Sequence, residues 1–202
     1  MAKNQKNKSV ASTRDRETKR TSHWLFSKRG PAFLDPFTHL GDRSIDIIKP
    51  YLHKGQTVAD IGCGWGHFTL KLSKLVGPEG KVIAIDMAEK CILKIQKKSQ
   101  KLDLSNIIAK ASTAADLGFI RDESVDLVFA NGLLCSMAFE RELAISEIER
   151  IIKPTGYIFL SLGAIPPMGY VDEEEWNGIV KRFNLIKGGD FKEKWALGIT
   201  LS

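Results

Sequence analysis

From Gln56 onward the chain alternates between two hydrophobic patterns. Short, nearly continuous apolar runs predict strands that are covered on both faces of a sheet. Between these runs, apolar residues recur three or four positions apart, which predicts amphipathic helices. The strands are expected at 57–61, 81–86, 107–111, 125–130 and 157–162, and the helices at 67–75, 88–101 and 140–152.

The C-terminal part departs from this alternation. A helix at 172–182 leads to the apolar pair 185–186, and the last strand, 195–201, follows with no room for a crossover helix. That strand must therefore pair antiparallel with its predecessor. Repeated strand–helix units before it predict parallel pairing with right-handed crossovers. The predicted fold class is an open α/β sheet of seven strands, mostly parallel, with an antiparallel C-terminal hairpin and helices on both faces.

The apolar positions also predict which side chains face the core. Asp42 can cap a further helix at 43–51, which is limited by Pro50. The inward residues are expected to be Ile45, Ile48 and Leu52 in that helix, Ile92, Ile95 and Leu102 in the helix at 88–101, and Leu143, Ile148, Ile151 and Ile152 in the helix at 140–152.

The segment 58–69 joins the first strand to the next helix through three glycines. An acid, Asp60, lies at the end of the apolar run, and Gly62, Gly64 and Gly66 follow at alternate positions. Because glycine lacks a Cβ atom, the backbone can approach a ligand closely, and a helix N-terminus offers unpaired N–H groups. The segment predicts a ligand-binding loop, and the alternative is a tight turn that binds nothing.

The pattern Asp-x-Gly-x-Gly-x-Gly, from Asp60 to Gly66, resembles the first motif of class I S-adenosylmethionine-dependent methyltransferases. It differs from the G-x-G-x-x-G fingerprint of dinucleotide-binding folds. The antiparallel C-terminal hairpin is also typical of class I methyltransferases, and the resemblance covers about residues 40–202. It implies a Rossmann-like fold and S-adenosyl-L-methionine as the cofactor.

In open parallel sheets, ligands bind beyond the carboxyl ends of the strands. Those positions hold the residues that we predict to bind the cofactor. They are Asp60, Gly62, Cys63, Gly64, Asp86, Met87, Thr113, Ala114 and Asn131.

Asp86, which closes the second strand, is predicted to bind the ribose. A carboxylate can accept hydrogen bonds from both vicinal hydroxyls, and Asp86 follows Gly64 by 22 residues, close to the roughly 20 that separate a ribose-binding acid from its glycine-rich turn. The alternative is a capping residue for the next helix. Met87 either lies against adenine or belongs to the core.

The resemblance implies that Asp60 orients the loop and meets the ammonium group of the cofactor, and a structural role is compatible with this. Cys63 fits the loop as a small residue, and we assign it no reactivity. Many relatives carry an aspartate after the third strand that binds the adenine amino group, but this sequence has Thr113 there. Adenine is then read by the Thr113 hydroxyl and the Ala114 N–H, unless the role passes to Asp116.

The fourth strand ends at Asn131, which is followed by glycine and leucine. Enzymes that methylate exocyclic amines of bases usually show Asn/Asp-Pro-Pro-Tyr/Phe here, so DNA adenine methylation is not expected. Cys135 and Ser136 are similar to the Cys-Ser pair of RNA cytosine-5 enzymes, but they lack the preceding proline and are interpreted as packing. Asp126 is interpreted as structural.

No catalytic residue is assigned from the sequence. His39, His67 and Tyr170 are candidate bases, although a lone histidine is more often structural. Cysteines 63, 91 and 135 also permit an arsenite methyltransferase, but that chemistry needs three thiols converging on one ion. We predict no metal site, because His, Cys and acidic residues show no metal-ligand spacing.

Charge is unevenly placed along the chain. Residues 1–30 hold nine Lys or Arg and two acidic residues, whereas the rest holds 21 and 22. We predict a disordered basic tail at 1–22 and a single methyltransferase domain at 23–202. The tail is either a solvated lead or an electrostatic arm for RNA or an acidic partner. Apolar residues at 32–40 form a short lid over the site or pack ordinarily.

No apolar run of about 18 residues occurs, so we predict no membrane span. An odd cysteine count without a Cys-x-x-Cys pair predicts reduced thiols and a cytoplasmic location. The acceptor is unidentified; a small molecule is favoured over RNA or protein, because no large insertion offers a recognition domain. A non-catalytic binding module and a nucleotide-dependent oxidoreductase are the alternatives, and the oligomeric state is not predicted.

Overall fold

The computed structural model describes residues 38–137, 139–162, 171–190 and 194–201. The predicted basic tail, most of the 32–40 segment and Tyr170 lie outside these residues, and the tail and domain bounds therefore stay predictions. His39 lies in the first helix. Within the described part of the chain, no helix combines the length and apolar character that crossing a membrane requires.

Helices and strands alternate as the hydrophobic pattern predicts. The helices are α1 (Thr38–Ile48), α2 (His67–Val76), α3 (Glu89–Lys101), α4 (Arg141–Ile151) and α5 (Glu173–Val180). The strands are β1 (Thr57–Ile61), β2 (Lys81–Asp86), β3 (Ile107–Ala111), β4 (Val125–Ala130), β5 (Ile152–Ser161), β6 (Phe183–Asp190) and β7 (Lys194–Thr200).

The seven strands form one sheet in the order β3-β2-β1-β4-β5-β7-β6. The first five strands pair in parallel, while β7 pairs antiparallel with both β5 and β6. This arrangement confirms the predicted fold class. The order reverses between β1 and β4, so the carboxyl ends of β1, β2 and β4 meet at the switch point where open sheets bind ligands.

Alternation along the strands divides the core between the two faces of the sheet. On one face, Val58 and Phe129 pack with apolar residues of α1 and α2, and Ala84 packs with those of α3. On the other face, Ala59 and Val128 pack with residues of α4 and α5. Asp60 and Asp86 have the same parity as Val58 and Ala84, and therefore belong to the α1–α3 face.

Three local predictions are wrong. Helix α1 already begins at Thr38, so Asp42 lies inside the helix and does not cap it. Leu143 is 60% exposed, because Ala144, Ile145 and Ile148 set the buried face of α4. Leu102 is 49% exposed, because it is the residue at which the chain leaves α3.

Strand β5 begins at Ile152 rather than Tyr157. Ile152 pairs with Val125, and the register shifts before Leu127 pairs with Tyr157. The polar and proline-containing residues 153–156 hid this extension from the hydrophobic pattern.

Candidate active site

The loop between β1 and α2 is held in a conformation that favours glycine. Gly62, Gly64 and Gly66 have φ angles of 77°, 50° and 78°. The backbone N–H groups of Gly62 and Cys63 donate to the carbonyl oxygen of Ile85 at 2.8 and 3.0 Å, which ties the loop to β2. A side chain at any of the three glycines would be strained, since L residues rarely adopt these angles.

Two of these glycines have different surroundings. A Cβ atom at Gly66 would lie 2.5 Å from Cγ1 of Ile95, so this glycine allows α2 to pack against α3. A Cβ atom at Gly64 would meet nothing within 4 Å. The backbone at Gly64 is therefore bare on a side where a ligand can approach.

The Asp86 carboxylate is oriented by the backbone. Its Oδ2 accepts a hydrogen bond from the Gly64 N–H at 2.8 Å, and its Oδ1 accepts one from the Ala88 N–H at 2.8 Å. The N-cap of α3 is Ala88, so Asp86 is not the capping residue of that helix. Each carboxylate oxygen can accept a second hydrogen bond, and the pair can therefore still receive two hydroxyl donors.

Asp60 is almost completely buried, with 2% of its surface exposed. Burial raises the pKa of this carboxyl from 3.8 to about 7; the hydrogen bond from Thr69 opposes the rise and the charge of Asp86 adds to it. Thr69 Oγ1 donates to Asp60 Oδ2 at 2.6 Å. Among the described residues, the ion pairs do not include Asp60. A cation reaching Asp60 would therefore stabilise the ionised form.

The sequence analysis missed Thr69, although a signal for it exists. The buried stripe of α2 consists of Thr69, Leu72, Ser73 and Val76, at the spacing of one helix face. A hydroxyl on an otherwise apolar stripe beside a buried acid is the pattern that identifies such a partner.

Helix α3 holds the outer side of the loop at Trp65. The ammonium group of Lys94 lies 4.3 Å from the centre of the Trp65 ring, and Lys98 Nζ donates to the Trp65 carbonyl oxygen at 3.1 Å. With Ile95 against Gly66, three residues of α3 fix the position of the loop. No local pattern in the sequence predicts these contacts.

The residues predicted to bind adenine differ in exposure. Met87 is 65% exposed, so it does not belong to the core. Thr113 Oγ1 donates to Glu140 Oε2 at 3.1 Å and accepts from the Ala115 N–H at 3.2 Å, while Ala114 is 6% exposed. The hydroxyl that we expected to read adenine is thus directed at Glu140, which the sequence analysis missed.

Asn131, at the carboxyl end of β4, joins three elements. Its Oδ1 accepts from Ser44 of α1 at 2.8 Å and from Ser161 of β5 at 3.3 Å. The Ser161 hydroxyl in turn accepts from the Gly132 N–H at 2.8 Å. Both serines are buried and were missed, because each is separated from Asn131 by many residues.

Two of the three cysteines, Cys63 and Cys91, are unsuited to thiolate chemistry. Burial raises the pKa of the Cys63 thiol far above its usual range and that of Cys91 to about 11, so both are protonated at neutral pH. Cys135 donates to the Gly132 carbonyl oxygen at 3.4 Å, and none of the three is in a disulfide. In the described ranges, no three His, Cys, Asp or Glu side chains are grouped to hold a metal ion.

His67 is the first residue of α2, and its ring lies edge-on to Phe68 with the centres 5.0 Å apart.

A family model described as "Methyltransferase domain" matches residues 52–190. This span includes the glycine loop, Asp86 and all of the parallel strands. The chain belongs to the methyltransferase-domain family.

Individual relatives of this methyltransferase-domain protein match about half of it. A Saccharolobus solfataricus protein named "Probable cobalt-precorrin-6B C(15)-methyltransferase (decarboxylating)" is 35% identical over 48% of this chain and 49% of its own. An arsenite methyltransferase of Halobacterium salinarum is 31% identical over 53% of this chain and 27% of its own. The chain thus spans about half or less of the length of these curated relatives.

The fold is shared with solved structures. A crystal structure of a SAM-dependent methyltransferase from Aquifex aeolicus superposes with a TM-score of 0.65, covering 78% of this chain and 89% of that one at 23% identity. At this identity the likeness shows the fold alone, which agrees with the strand order described above.

Proposed function

We propose that this protein transfers a methyl group from S-adenosyl-L-methionine to a small-molecule acceptor. The observation that carries the proposal is the hydrogen bond between the Asp86 carboxylate and the Gly64 N–H, at 2.8 Å. It joins the acid that closes β2 to the bare backbone of the glycine loop. The Asp86 carboxylate, which can accept hydrogen bonds from sugar hydroxyls, therefore lies beside the open backbone of Gly64. Both are at the switch point of the sheet.

The side chains present suit the parts of this cofactor. Asp86 offers lone pairs to the two ribose hydroxyls, and Gly64 leaves room for the ligand against the backbone. Asp60 is a buried carboxyl with a raised pKa, and it can become the counter-ion of the amino-acid ammonium group. Met87 offers an exposed apolar side chain to adenine.

When bound, the cofactor supplies a methyl carbon activated by a sulfonium. The part of the protein is to hold the acceptor in line with that carbon, at about 3 to 3.5 Å. A base is required only for an acceptor that must lose a proton, and His39, His67 and Tyr170 stay candidates for that role. The thiols of Cys63 and Cys91 are not candidates, because their raised pKa values keep them protonated.

The acceptor class rests on two supports. The names of the two relatives specify a cobalt-precorrin and arsenite, which are both small acceptors. The described strand–helix connections of the parallel sheet are also short, and none contains a separate recognition domain. Asn131 is predicted to contact the cofactor, and the Ser44–Asn131–Ser161 cluster that contains it is proposed to form the boundary between the cofactor and the acceptor. The predicted cytoplasmic location is part of the same proposal.

Calorimetric titration with S-adenosylmethionine, S-adenosylhomocysteine and NAD tests the cofactor. We expect one site of micromolar or better affinity for both adenosyl compounds and none for NAD. Binding of NAD, or of none of the three, would remove the proposal.

A labelled methyl donor tests the acceptor class. The protein is incubated with tritiated S-adenosylmethionine and a cell extract, which is then separated into small molecules, RNA and protein. We expect the label among the small molecules. Label in RNA or protein would show that the acceptor is a macromolecule and not a small molecule. If no label is transferred in repeated extracts, a binding module without catalysis is favoured.

A further inference from the structure

Helix α3 presents a stripe of lysines on its exposed side. Lys90, Lys94, Lys97 and Lys101 follow one another at intervals of four, three and four residues, which places them on one face of a helix. All four are exposed, whereas the buried residues of α3 occupy the opposite face. We call these four residues the lysine stripe.

None of the four lysines of the stripe forms an ion pair with another side chain that the structure describes. Helices α2 and α3 together contain seven lysines and one acidic residue, Glu89. The ion pairs between described side chains lie on α4, α5, strands β4, β5 and β7, and the connections that hold Asp122 and Arg182. The opposite face of the sheet has the reverse balance, since α4 and α5 contain six glutamates and two arginines.

Apart from Lys101, which lies in the last turn and is favourable to the helix dipole, the lysine stripe does not stabilise α3. Lys90 and Lys94 are four residues apart, as are Lys97 and Lys101, and like charges at this spacing repel. A helix selected only for folding would gain from acidic residues at alternate turns. The stripe is therefore better explained by a polyanion that binds to it.

We propose that the lysine stripe binds the phosphate backbone of a nucleic-acid strand. Lys90 and Lys101 are separated by about 16 Å along the helix axis, at 1.5 Å per residue. A strand with about 3.4 Å between successive phosphates along its axis places about five phosphates over that distance. The proposal goes beyond the methyl transfer proposed above.

Two other occupants fit the stripe less well. A membrane-binding helix needs a broad apolar face on its exposed side, and the stripe itself contains only lysine. Protein interfaces are depleted in lysine and depend on aromatic and apolar anchors, which the stripe lacks. Phosphates need only the positive charge.

The stripe begins near the candidate active site and runs away from it. Lys90 follows Asp86, at the carboxyl end of β2, by four residues, whereas Lys101 ends the helix. Lys94 contacts Trp65 of the glycine loop, and Lys98 beside the stripe does so too. A test of nucleic-acid binding must leave these two lysines unchanged, so that the cofactor loop is not disturbed.

The test compares two triple variants of the full chain. The first is K90Q/K97Q/K101Q, and its control is K49Q/K181Q/K187Q, which removes three exposed lysines on other elements. Fluorescence anisotropy measures the affinity for a labelled oligouridine over a range of salt concentrations. We expect the stripe variant to lose about tenfold in affinity at low salt and to reduce the log–log salt slope by about 2, at roughly 0.7 per phosphate contact. The control should stay within about twofold of the unmodified protein.

Several results would overturn the proposal. They are an unmodified chain that does not bind oligouridine, equal losses in both triple variants, or stripe-dependent capture by phosphatidylserine vesicles or polyglutamate but not by oligouridine. Calorimetric binding of S-adenosylmethionine is measured in parallel and is expected to be unchanged in both variants. Failure of the cofactor proposal is therefore seen separately from failure of this one.

Discussion

The two halves of the candidate site are built from different kinds of contact. At the ends of β1 and β2, the Asp86 carboxylate is held by the backbone N–H groups of Gly64 and Ala88. At the ends of β4 and β5, the Asn131 amide is held by the hydroxyls of Ser44 and Ser161. The first half depends on backbone conformation, and the second depends on side chains from three elements.

This difference suggests a way in which substitutions could alter the acceptor of such a fold while its cofactor stays the same. Backbone donors at the β1–β2 end do not vary when neighbouring side chains are substituted. The hydrogen bonds at the β4–β5 end come from side chains, so a single substitution at Ser44 or Ser161 changes them while the hydrogen bonds of Asp86 remain. Under the proposed function, cofactor binding depends chiefly on the first half, and acceptor choice depends chiefly on the second.

The largest effect is expected from Asp86→Ala. The substitution removes the acceptor for two ribose hydroxyls and also the bond that orients Gly64. Hydrogen bonds to a charged group contribute about 1.5 to 3 kcal/mol each, so the expected loss in S-adenosylmethionine affinity is about 100-fold or more. Calorimetry measures it, with the exposed Asp46→Ala as the control. A loss no larger than that of the Asp46→Ala control would contradict the ribose assignment.

The next effect concerns Asp60 and pH. The folded chain holds this proton more tightly than the unfolded chain, because burial raises the pKa from 3.8 to about 7. The contribution of Asp60 to stability is therefore complete below about pH 4 and is lost as pH rises through about 7, a change of about 4 kcal/mol. Urea unfolding from pH 4 to 8 should show this loss relative to Asp60→Asn, which cannot ionise. If the stability of the two proteins changed with pH in the same way, the pKa of Asp60 would not be raised in the folded chain.

Gly66→Ala tests the packing of the loop against α3. The added Cβ atom would lie 2.5 Å from Cγ1 of Ile95. The alanine at position 66 would also have to adopt a φ of +78°. Overpacking and the left-handed backbone together should cost about 3 kcal/mol of unfolding free energy. Gly55→Ala is the matched control, since φ is +83° there and nothing lies within 4 Å of the added atom. Its expected cost is about 1 kcal/mol, and equal costs at both positions would argue against the contact with Ile95.

The smallest effect is expected from Ser44→Ala at the β4–β5 end. It removes one hydrogen bond to Asn131, which corresponds to about 1 kcal/mol of unfolding free energy. S-adenosylmethionine affinity should change by less than about fivefold, because the backbone contacts of Asp86 remain. A loss as large as that of Asp86→Ala would remove the distinction between the two halves of the site.

Much of the sheet could be predicted from the sequence. Strands β2 and β4 begin and end where the apolar runs do, because most of their residues are buried and polar residues bound them. Strand β3 also matches its apolar run, although it is an edge strand without a fully buried residue. The start of α1 was predicted too late, because aspartate commonly caps helices, as Asp42 was expected to do. The helix already begins at Thr38. Leu143 was misplaced because an apolar side chain need not be buried.

The site was predictable only where its parts lie in a local motif. The glycine spacing and the position of Asp86 after β2 belong to one strand–loop–helix–strand unit, and the structure brings Gly64 and Asp86 together. The pairs Ser44–Asn131 and Thr113–Glu140 join distant segments. Contacts of this kind depend on the folded packing, and no periodicity in a single sequence encodes them. The cofactor roles of the nine predicted residues stay predictions.

The account depends most on which ligand occupies the loop between β1 and α2. The most direct measurement is a crystal structure of the protein with S-adenosylhomocysteine. We expect both ribose hydroxyls to lie within hydrogen-bond distance of the Asp86 carboxylate, with the ligand against the open side of Gly64. A ligand bound elsewhere, or a loop that stays empty at saturating concentration, would contradict this expectation.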